Sequence, residues 1–141
     1  MLGTHATTPA GRQAGDNPRM NRAPAPLAGL KVLELGQLIA GPFAGRMLGD
    51  FGADVIKVEP PGNGDPLRQW RLLHDGTSVW WQVQSRNKRS VVLDLRTDEG
   101  RAGVRALARE ADVLIENFKP GTLEKWGLGP DQLAHDNPGM V

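Results

Sequence analysis

The sequence predicts an α/β protein with a Rossmann-like open parallel sheet. Between Leu27 and Glu59, two apolar runs flank one amphipathic segment, which is the pattern of a strand, a helix and a second strand. The same order recurs between Ser90 and Glu116. Two such units in series are typical of sheets whose parallel strands are joined by crossover helices. Ligands of these sheets bind at the carboxyl ends of the strands.

The composition excludes several classes of protein. The chain has 141 residues, enough for one domain with one core. Its 17 Lys and Arg nearly balance 16 Asp and Glu, so the net charge of +1 gives no field that attracts nucleic acid or an anionic membrane. No apolar run reaches the ~20 residues of a membrane span. The absence of Cys fits a reducing, cytoplasmic location, and the three His have no metal-ligand spacing.

Residues 1–26 are predicted to be a disordered leader. They contain four prolines and no apolar run as long as a signal-peptide core. Three arginines with a single acid are also found in organelle transit peptides, but the prolines interrupt any amphipathic helix and serine is absent. The folded domain is therefore expected over residues 27–141.

The first strand, helix and strand unit is predicted from residue 30 to residue 59. We expect strands at residues 30–35 and 54–59, and between them a helix that has Pro42 at its first position and ends at Gly52. The helix face expected to pack on the sheet is a stripe of large apolar residues, namely Phe43, Met47, Leu48 and Phe51.

The segment between the two units is less regular. Residues 60–66 are rich in Pro and Gly and are expected to form a surface loop, and a short helical turn is predicted near residues 79–83. His74 beside Asp75 resembles a general-base pair, but no serine elbow lies near it, so a surface histidine is expected. Large aromatic side chains more often pack in a core or an interface than stack on a base, and we expect this of Trp70, Trp80, Trp81 and Trp126.

The second unit begins with a strand predicted at residues 90–95 and ends with one at residues 112–116. Thr97 is expected to cap the helix between them. The inner face of this helix is predicted to consist of Val104, Leu107, Ala108 and Ala111.

The last part of the chain is predicted to hold two short helices, at residues 121–127 and 130–134. The chain then stops where a further strand is expected to start. A parallel sheet without its last strand exposes an apolar edge. We therefore expect an incomplete sheet and a fragment of a larger protein.

The predicted strands end near Gly36, Glu59, Arg96 and Asn117. Arg96 and the later residues Lys119 and Lys125 are expected to converge on one rim, which suits a ligand with separated phosphates, although single loop cations are often only solvated. For Glu59 two interpretations stay open: it binds a sugar hydroxyl, or it pairs with a loop arginine.

The turn at residues 36–42 argues against one class of enzyme. It lacks the Gly-x-Gly-x-x-Gly spacing that brings a dinucleotide pyrophosphate against a helix N-terminus. A nicotinamide-dependent oxidoreductase is therefore disfavoured. A stand-alone module that binds coenzyme A or a nucleotide without catalysis remains an alternative to an enzyme.

Several motifs together resemble a known family. In order and spacing, the chain resembles the amino-terminal part of class III coenzyme A transferases, the group of formyl-CoA and carnitine-CoA transferases, from Leu27 to Val141. The motifs are LAGLKVLELG, GPFAGRMLGDFGADVIKVEPPGNGDPLR, NKRSVVLDLRTDEGR, ADVLIENFKPGTLEKWGLG and NPGMV.

The resemblance implies a transfer of coenzyme A from an acyl-CoA donor to a carboxylic acid acceptor. In the family an aspartate carboxylate is the nucleophile, and no metal or redox cofactor is needed beyond coenzyme A as substrate. The family's aspartate lies farther along than Val141, so we expect no catalytic residue in this chain. Family members are also interlaced homodimers whose chains have a second domain.

The resemblance also implies which residues contact coenzyme A. They lie in the first turn, after the third strand, and after the fourth strand. One departure is Pro60, where some relatives have an arginine that contacts the nucleotide. The implied contact residues are Ile39, Ala40, Leu93, Asp94, Leu95, Arg96, Asn117, Phe118, Lys119 and Lys125.

Overall fold

The computed structural model describes residues 24–141, so residues 1–23 of the predicted leader lie outside the described residues. The strands are β1 (Lys31–Glu34), β2 (Asp54–Glu59), β3 (Leu73–His74), β4 (Thr77–Ser78), β5 (Lys88–Val92) and β6 (Val113–Ile115). The helices are α1 (Ala40–Asp50), α2 (Val79–Gln84), α3 (Asp98–Ala108), α4 (Thr122–Lys125) and α5 (Pro130–Asp136). A short 3-10 helix occupies Pro66–Gln69.

The main sheet is parallel, with the strand order β5-β2-β1-β6. Strands β1 and β2 pair with Lys31 opposite Asp54, and β1 and β6 pair with Val32 opposite Val113. Helices connect these strands along the chain, so the predicted α/β class with an open parallel sheet is confirmed. Strands β3 and β4 form a separate antiparallel hairpin.

Strand β5 starts two residues before its predicted position and ends at Val92. The prediction began at Ser90 because Lys88 and Arg89 are charged. As β5 lies at the edge of the sheet, it accommodates charged side chains more readily than a central strand. Arg89 forms an ion pair with Asp54 on the neighbouring strand.

One face of the sheet is covered by α3, α4 and α5 and is apolar. As predicted, Thr97 caps α3, because its side chain accepts a hydrogen bond from the Gly100 N–H. The predicted inner face of α3 is confirmed for its buried residues, while Leu107 is half-buried against the same cluster. The buried members of this cluster are Leu33, Leu35, Val58, Val104, Ala108, Ala111, Leu123, Leu128 and Leu133.

The opposite face of the sheet is covered by α1, and the predicted packing stripe of this helix is wrong for Phe43 and Phe51, while Leu48 packs against the cluster of Val32 and Val55. Phe43 and Phe51 are about half exposed, at 48% and 51%. Met47 and Leu48 are only half-buried, and α1 starts at Ala40, two residues before Pro42. The physical reason is close approach: small residues bring the helix backbone against polar side chains of the sheet. The buried residues of α1 are Gly41, Pro42, Gly45 and Gly49.

The loop from residue 60 to residue 85 also lies on the α1 side. The predicted helical turn near residues 79–83 is confirmed as α2, whose Trp81 is buried. The Arg68 guanidinium lies 3.9 Å from the centre of the Trp81 ring. Trp80 remains 40% exposed, so it is not part of the core, and its packing in an interface stays a prediction. Within residues 24–141 no helix is long and apolar enough to cross a membrane.

Candidate functional site

A cleft of about 340 Å³ lies at the carboxyl ends of the parallel strands. Its apolar lining comes from residues at or just beyond the ends of β1, β2 and β5. Aromatic side chains form one wall, and polar residues and prolines complete the lining. The lining residues are Leu35, Gln37, Val58, Pro60, Pro61, Leu93, Asp94, Leu95, Arg96, Phe118 and Trp126.

The aromatic wall consists of Phe118, just after β6, and Trp126, just after α4. Their ring centres are 5.6 Å apart and their planes meet at 78°, an edge-to-face pair. Both side chains are half-buried and pack against the apolar cluster beneath α3. The wall therefore offers an aromatic surface of two rings set nearly at right angles, and the core holds both rings in place.

The polar side of the cleft carries one ion pair. Arg96 donates two hydrogen bonds to Asp94, from Nε to Oδ1 at 2.8 Å and from one terminal nitrogen to Oδ2 at 2.8 Å. The Arg96 hydrogen bonds lower the pKa of Asp94 to about 2, so the carboxylate stays ionised. Because the Arg96 side chain is 76% exposed, this guanidinium is also open to ligands from solvent.

Asn117 fixes the turn between β1 and α1. Its Oδ1 accepts the Gln37 N–H at 2.8 Å, and its Nδ2 donates to the Gln37 carbonyl at 2.9 Å. Gly36 and Gly41 make this turn compact, since a Cβ on Gly36 would lie 2.7 Å from the Gly41 Cα. The amide of Asn117 thus binds the protein's own backbone.

The structure divides the predicted contact residues between several places. Leu93, Asp94, Leu95, Arg96 and Phe118 line the cleft. Ile39 and Ala40 are exposed at the start of α1, where no side chain caps the helix. Lys119 lines a second cleft of about 290 Å³ beside β6, and Lys125 is exposed at the end of α4. A single rim of Arg96, Lys119 and Lys125 stays a prediction.

Beneath α1 lies a group of buried charges that the sequence interpretation missed. We call it the charge cluster, and it lies on the sheet face opposite α3, where Lys88 joins it from the start of β5. A signal for it existed: Glu34 and Lys57 each stand inside an apolar run of a parallel strand, where a charge is unusual unless paired. The members of the charge cluster are Glu34, Lys57, Glu59, Asp65, Arg68 and Lys88.

Lys57 stands at the centre of the charge cluster and is 1% exposed. Its Nζ lies 2.9 Å from Glu34 Oε1 and 2.7 Å from Asp65 Oδ2, and it also donates to the Gly36 carbonyl at 2.8 Å. Lys88 Nζ is 2.6 Å from the other oxygen of Glu34. Burial lowers the pKa of Lys88, and the Glu34 charge partly opposes that shift.

The two interpretations of Glu59 are now resolved in favour of pairing. Arg68 donates from Nε to Glu59 Oε2 at 2.7 Å and from a terminal nitrogen to Oε1 at 2.8 Å. Ser90 Oγ donates to the same carboxylate at 2.5 Å. Burial raises the pKa of Glu59, but the hydrogen bonds from Arg68, Ser90 and the Asp65 N–H outweigh it and lower the pKa to about 2.

The other candidate groups are not part of a site. His74 Nε2 is 3.5 Å from Asp75 Oδ2, but both side chains are exposed, as expected for a surface histidine. Over the part of the chain that the structure describes, no group of three His, Cys, Asp or Glu side chains could hold a metal ion.

Comparisons with known proteins point to one family. A family model described as CoA-transferase family III matches residues 27–141. The chain is 55% identical over 121 residues to succinyl-CoA–D-citramalate CoA-transferase of Chloroflexus aurantiacus, covering 85% of this chain and 30% of the relative. It is 48% identical over 128 residues to succinate–glutarate CoA-transferase of Agrobacterium fabrum, covering 86% and 32%.

A solved structure agrees with the sequence comparison. The crystal structure of a CAIB/BAIF family protein from Brucella suis superposes with a TM-score of 0.78 at 47% identity, over 84% of this chain and 32% of that protein. The chain thus spans about a third of the length of the curated relatives and of the solved structure that it matches.

Proposed function

Because this chain belongs to CoA-transferase family III, we propose that it takes part in moving coenzyme A from an acyl-CoA donor to a carboxylic acid. The names of two relatives pair succinyl-CoA with D-citramalate and succinate with glutarate. All three acids are short dicarboxylic acids. We therefore propose donors and acceptors of this class for the present protein.

The observation that carries the proposal is the strand-end cleft. Adenine is a flat aromatic ring, and each ring of the Phe118–Trp126 wall is an aromatic group of the kind against which adenine packs. Arg96 stands on the cleft with an exposed guanidinium, the group best shaped for a phosphate. The cleft therefore suits the nucleotide end of coenzyme A. Further contacts are proposed at Leu93, Leu95, Ile39, Ala40, Asn117, Lys119 and Lys125.

The proposed reaction is a covalent relay through an aspartate. The carboxylate attacks the donor thioester carbonyl, forming an acyl-aspartyl anhydride and releasing coenzyme A thiolate. The thiolate attacks the aspartyl carbonyl, which gives an aspartyl thioester and frees the donor acid. The acceptor carboxylate then reverses these two steps. Each step exchanges one activated acyl group for another.

Asp94 does not fit the role of this nucleophile. It is the aspartate among the cleft residues, and Arg96 holds both of its oxygens. A carboxylate that is paired in this way and has a pKa of about 2 is a weak nucleophile. We assign the nucleophile to an aspartate outside residues 24–141. We further propose a cytoplasmic homodimer that needs no metal or redox cofactor.

Binding of coenzyme A tests the proposal directly. Isothermal titration calorimetry of coenzyme A is run on the purified protein and on the Arg96→Ala variant. Loss of a hydrogen bond to a charged group costs about 1.5–3 kcal/mol, so the dissociation constant should rise roughly 10- to 100-fold. Arg89→Ala is the matched control, because Arg89 is also exposed and paired with an aspartate but lies outside the cleft. Equal affinities for both variants would remove the cleft from the proposal.

A transfer assay separates an enzyme from a binding module. Because the proposed nucleophile lies outside residues 24–141, isotopically labelled glutarate is incubated with succinyl-CoA and the whole protein, not with residues 24–141 alone. Labelled glutaryl-CoA above the uncatalysed rate supports transfer. Tight binding of coenzyme A without transfer favours the alternative of a stand-alone binding module. One observation favours this alternative: the described residues form the cleft, and the lining of the cleft has no unpaired carboxylate.

A further inference from the structure

We propose that Asp65 is a positioning residue for coenzyme A binding, which holds the turn between β1 and α1 without touching the ligand. This turn, residues 36–39, is called the β1–α1 turn below. The inference rests on the proposed function for its ligand. Its structural part, the holding of the turn, stands on the contacts of Asp65 alone.

Both carboxylate oxygens of Asp65 are used inside the protein. Oδ1 accepts the backbone N–H of Leu67 at 2.8 Å and that of Leu38 at 3.0 Å. Oδ2 lies 2.7 Å from the Lys57 Nζ. The Asp65 side chain is 0% exposed, so it cannot reach a ligand in the cleft. Its influence on binding must act through the groups that it holds.

Leu38 needs such a partner. Its φ is +62°, a left-handed backbone conformation that residues other than glycine seldom adopt. Conformations of this kind persist only where the surroundings determine them. The hydrogen bond from the Leu38 N–H to Asp65 helps to fix this backbone conformation. Asp65 belongs to a loop 27 residues away in the sequence.

The ion pair between Lys57 and Asp65 holds the β1–α1 turn at two points. Lys57 donates to the carbonyl of Gly36, the first residue of the turn, and Asp65 accepts from Leu38, the third. Asn117 binds both backbone polar groups of Gln37 between them. Three consecutive residues of the turn are thus tied to β2, to the 60–69 loop and to the segment after β6.

The β1–α1 turn is the part of the chain that leads into the cleft. Gln37 lines the cleft, and the proposed contact residues Ile39 and Ala40 follow directly. If the turn relaxes, only a fraction of molecules presents these residues in the binding geometry. The apparent dissociation constant then rises in inverse proportion to that fraction. A turn that is correctly placed in a tenth of the molecules gives a roughly tenfold rise.

Asp65 also has a local role, because it caps the 3-10 helix at Pro66–Gln69. The test must therefore separate the turn from the loop. Arg68→Met is the matched control: it breaks the partly exposed pair between this loop residue and Glu59 but removes no contact to the β1–α1 turn. Asp65→Asn keeps the shape of the side chain. It has only one acceptor oxygen, however, so its amide nitrogen must face either the Lys57 ammonium or the N–H groups of Leu38 and Leu67, and in both orientations a donor lies opposite a donor.

The experiment has two readouts on the whole purified protein. Calorimetry gives the dissociation constant for coenzyme A, and hydrogen exchange gives the protection of the Leu38 amide. For Asp65→Asn we expect the constant to rise about tenfold or more, with faster exchange at Leu38. For Arg68→Met we expect a change below about twofold in the constant and unchanged protection of Leu38.

Several outcomes overturn the proposal. Coenzyme A affinity equal to that of the wild type in Asp65→Asn, despite faster exchange at Leu38, refutes the link to binding. Equal loss of affinity in both variants shows a general effect of the loop. A Leu38 amide without protection in the wild-type protein refutes the holding of the turn, even if Asp65→Asn does not fold. Absence of coenzyme A binding in the wild type instead refutes the proposed function, while the exchange readout still decides the structural part.

Discussion

The two faces of the sheet are stabilised in different ways. The face under α3 is closed by aliphatic side chains such as Leu33 and Val104, with no charge among its buried members. The face under α1 has a small apolar cluster near the strand starts, built on Val32 and Val55, and the charge cluster near the strand ends. Both faces cover the same four strands.

The two faces differ in how strongly their interactions depend on particular partner residues. Aliphatic packing depends on volume and tolerates replacements of similar size. A buried ion pair depends on both partners, since removal of one leaves an uncompensated charge. The apolar face therefore supplies general stability, and the charged face fixes the relative positions of β1, β2, β5 and the 60–69 loop.

The largest effect is expected from Lys57→Met. The change leaves Glu34 and Asp65 buried without their shared cation, and such a loss costs about 3–5 kcal/mol of unfolding free energy. On the apolar face, Leu33→Met replaces one buried side chain by another of similar volume and should cost less than about 1.5 kcal/mol. Urea denaturation of both variants measures the difference.

Lys31→Met is the control for the removal of a positive charge as such. Lys31 lies on the same sheet, but its side chain is 54% exposed and pairs only with the exposed Glu110. Exposed pairs contribute about 0–1 kcal/mol. If Lys57→Met lowers the unfolding free energy no more than Lys31→Met does, the buried ion pairs contribute no more than exposed ones. The comparison between the two faces then fails.

A smaller effect is expected from Gly45→Ala in α1. The added Cβ would overlap the Glu34 carboxylate, which Lys57 and Lys88 hold in place. Overpacking of this kind costs about 1–3 kcal/mol. Gly103→Ala in α3 is the matched control, because its Cβ would meet only the methyl groups of Leu93, the nearer at 3.0 Å. Thermal unfolding should show a clear loss for Gly45→Ala alone, and similar melting temperatures for both would contradict the close approach of α1.

The smallest effect is expected in acid and concerns Glu59. Its pKa in the folded protein, about 2, lies below its ordinary value of 4.5. Glu59 therefore contributes stability above pH 4.5, which is lost as the pH falls from 4.5 toward 2. The contribution is moderate because Arg68 is 37% exposed and solvent screens the pair.

The Arg68→Met variant isolates this contribution. Without its main hydrogen-bond donor, the pKa of Glu59 moves upward, and the fall of unfolding free energy between about pH 5 and pH 3 becomes shallower than in the wild type. Urea denaturation at a series of pH values gives the two slopes. Identical slopes would show that Glu59 is not the carboxylate whose protonation lowers the unfolding free energy in acid.

The apolar face was predictable from the sequence. Val104, Ala108 and Ala111 recur at helical spacing, and Thr97 marks the helix start, so local pattern and packing agree. Strand β2 was predicted with its observed bounds for the same reason. A periodic apolar pattern can be recognised in the sequence, because the residues that pack are themselves apolar.

The face under α1 was not predictable in this way. Glycines carry no side chain, so the packed face of α1 gives no apolar signal, and the stripe from Phe43 to Phe51 pointed to the wrong side. The partners in the charge cluster are also far apart in sequence, since Lys57 lies 23 positions after Glu34. Local pattern analysis has no means of pairing them.

The candidate site was predicted in part. Leu93 to Arg96 and Phe118 were expected because the resemblance to the family implied them, and the structure places them in one cleft. Trp126 was assigned to packing alone, although it also lines that cleft. Asp65 was regarded only as a loop residue, since its contact with the Leu38 backbone depends on a turn that no sequence motif marks.

The clamp of Asn117 on Gln37 has a consequence for how this protein can diverge. The clamp holds the backbone of residue 37 and leaves its side chain to line the cleft. Selection can therefore exchange this side chain without moving the chain that carries it. Gly36 and Gly41 allow no such freedom, because a Cβ on either would strike the other's backbone. Position 37 can thus change its side chain, and with it the lining of the cleft, while the backbone of the turn stays in place.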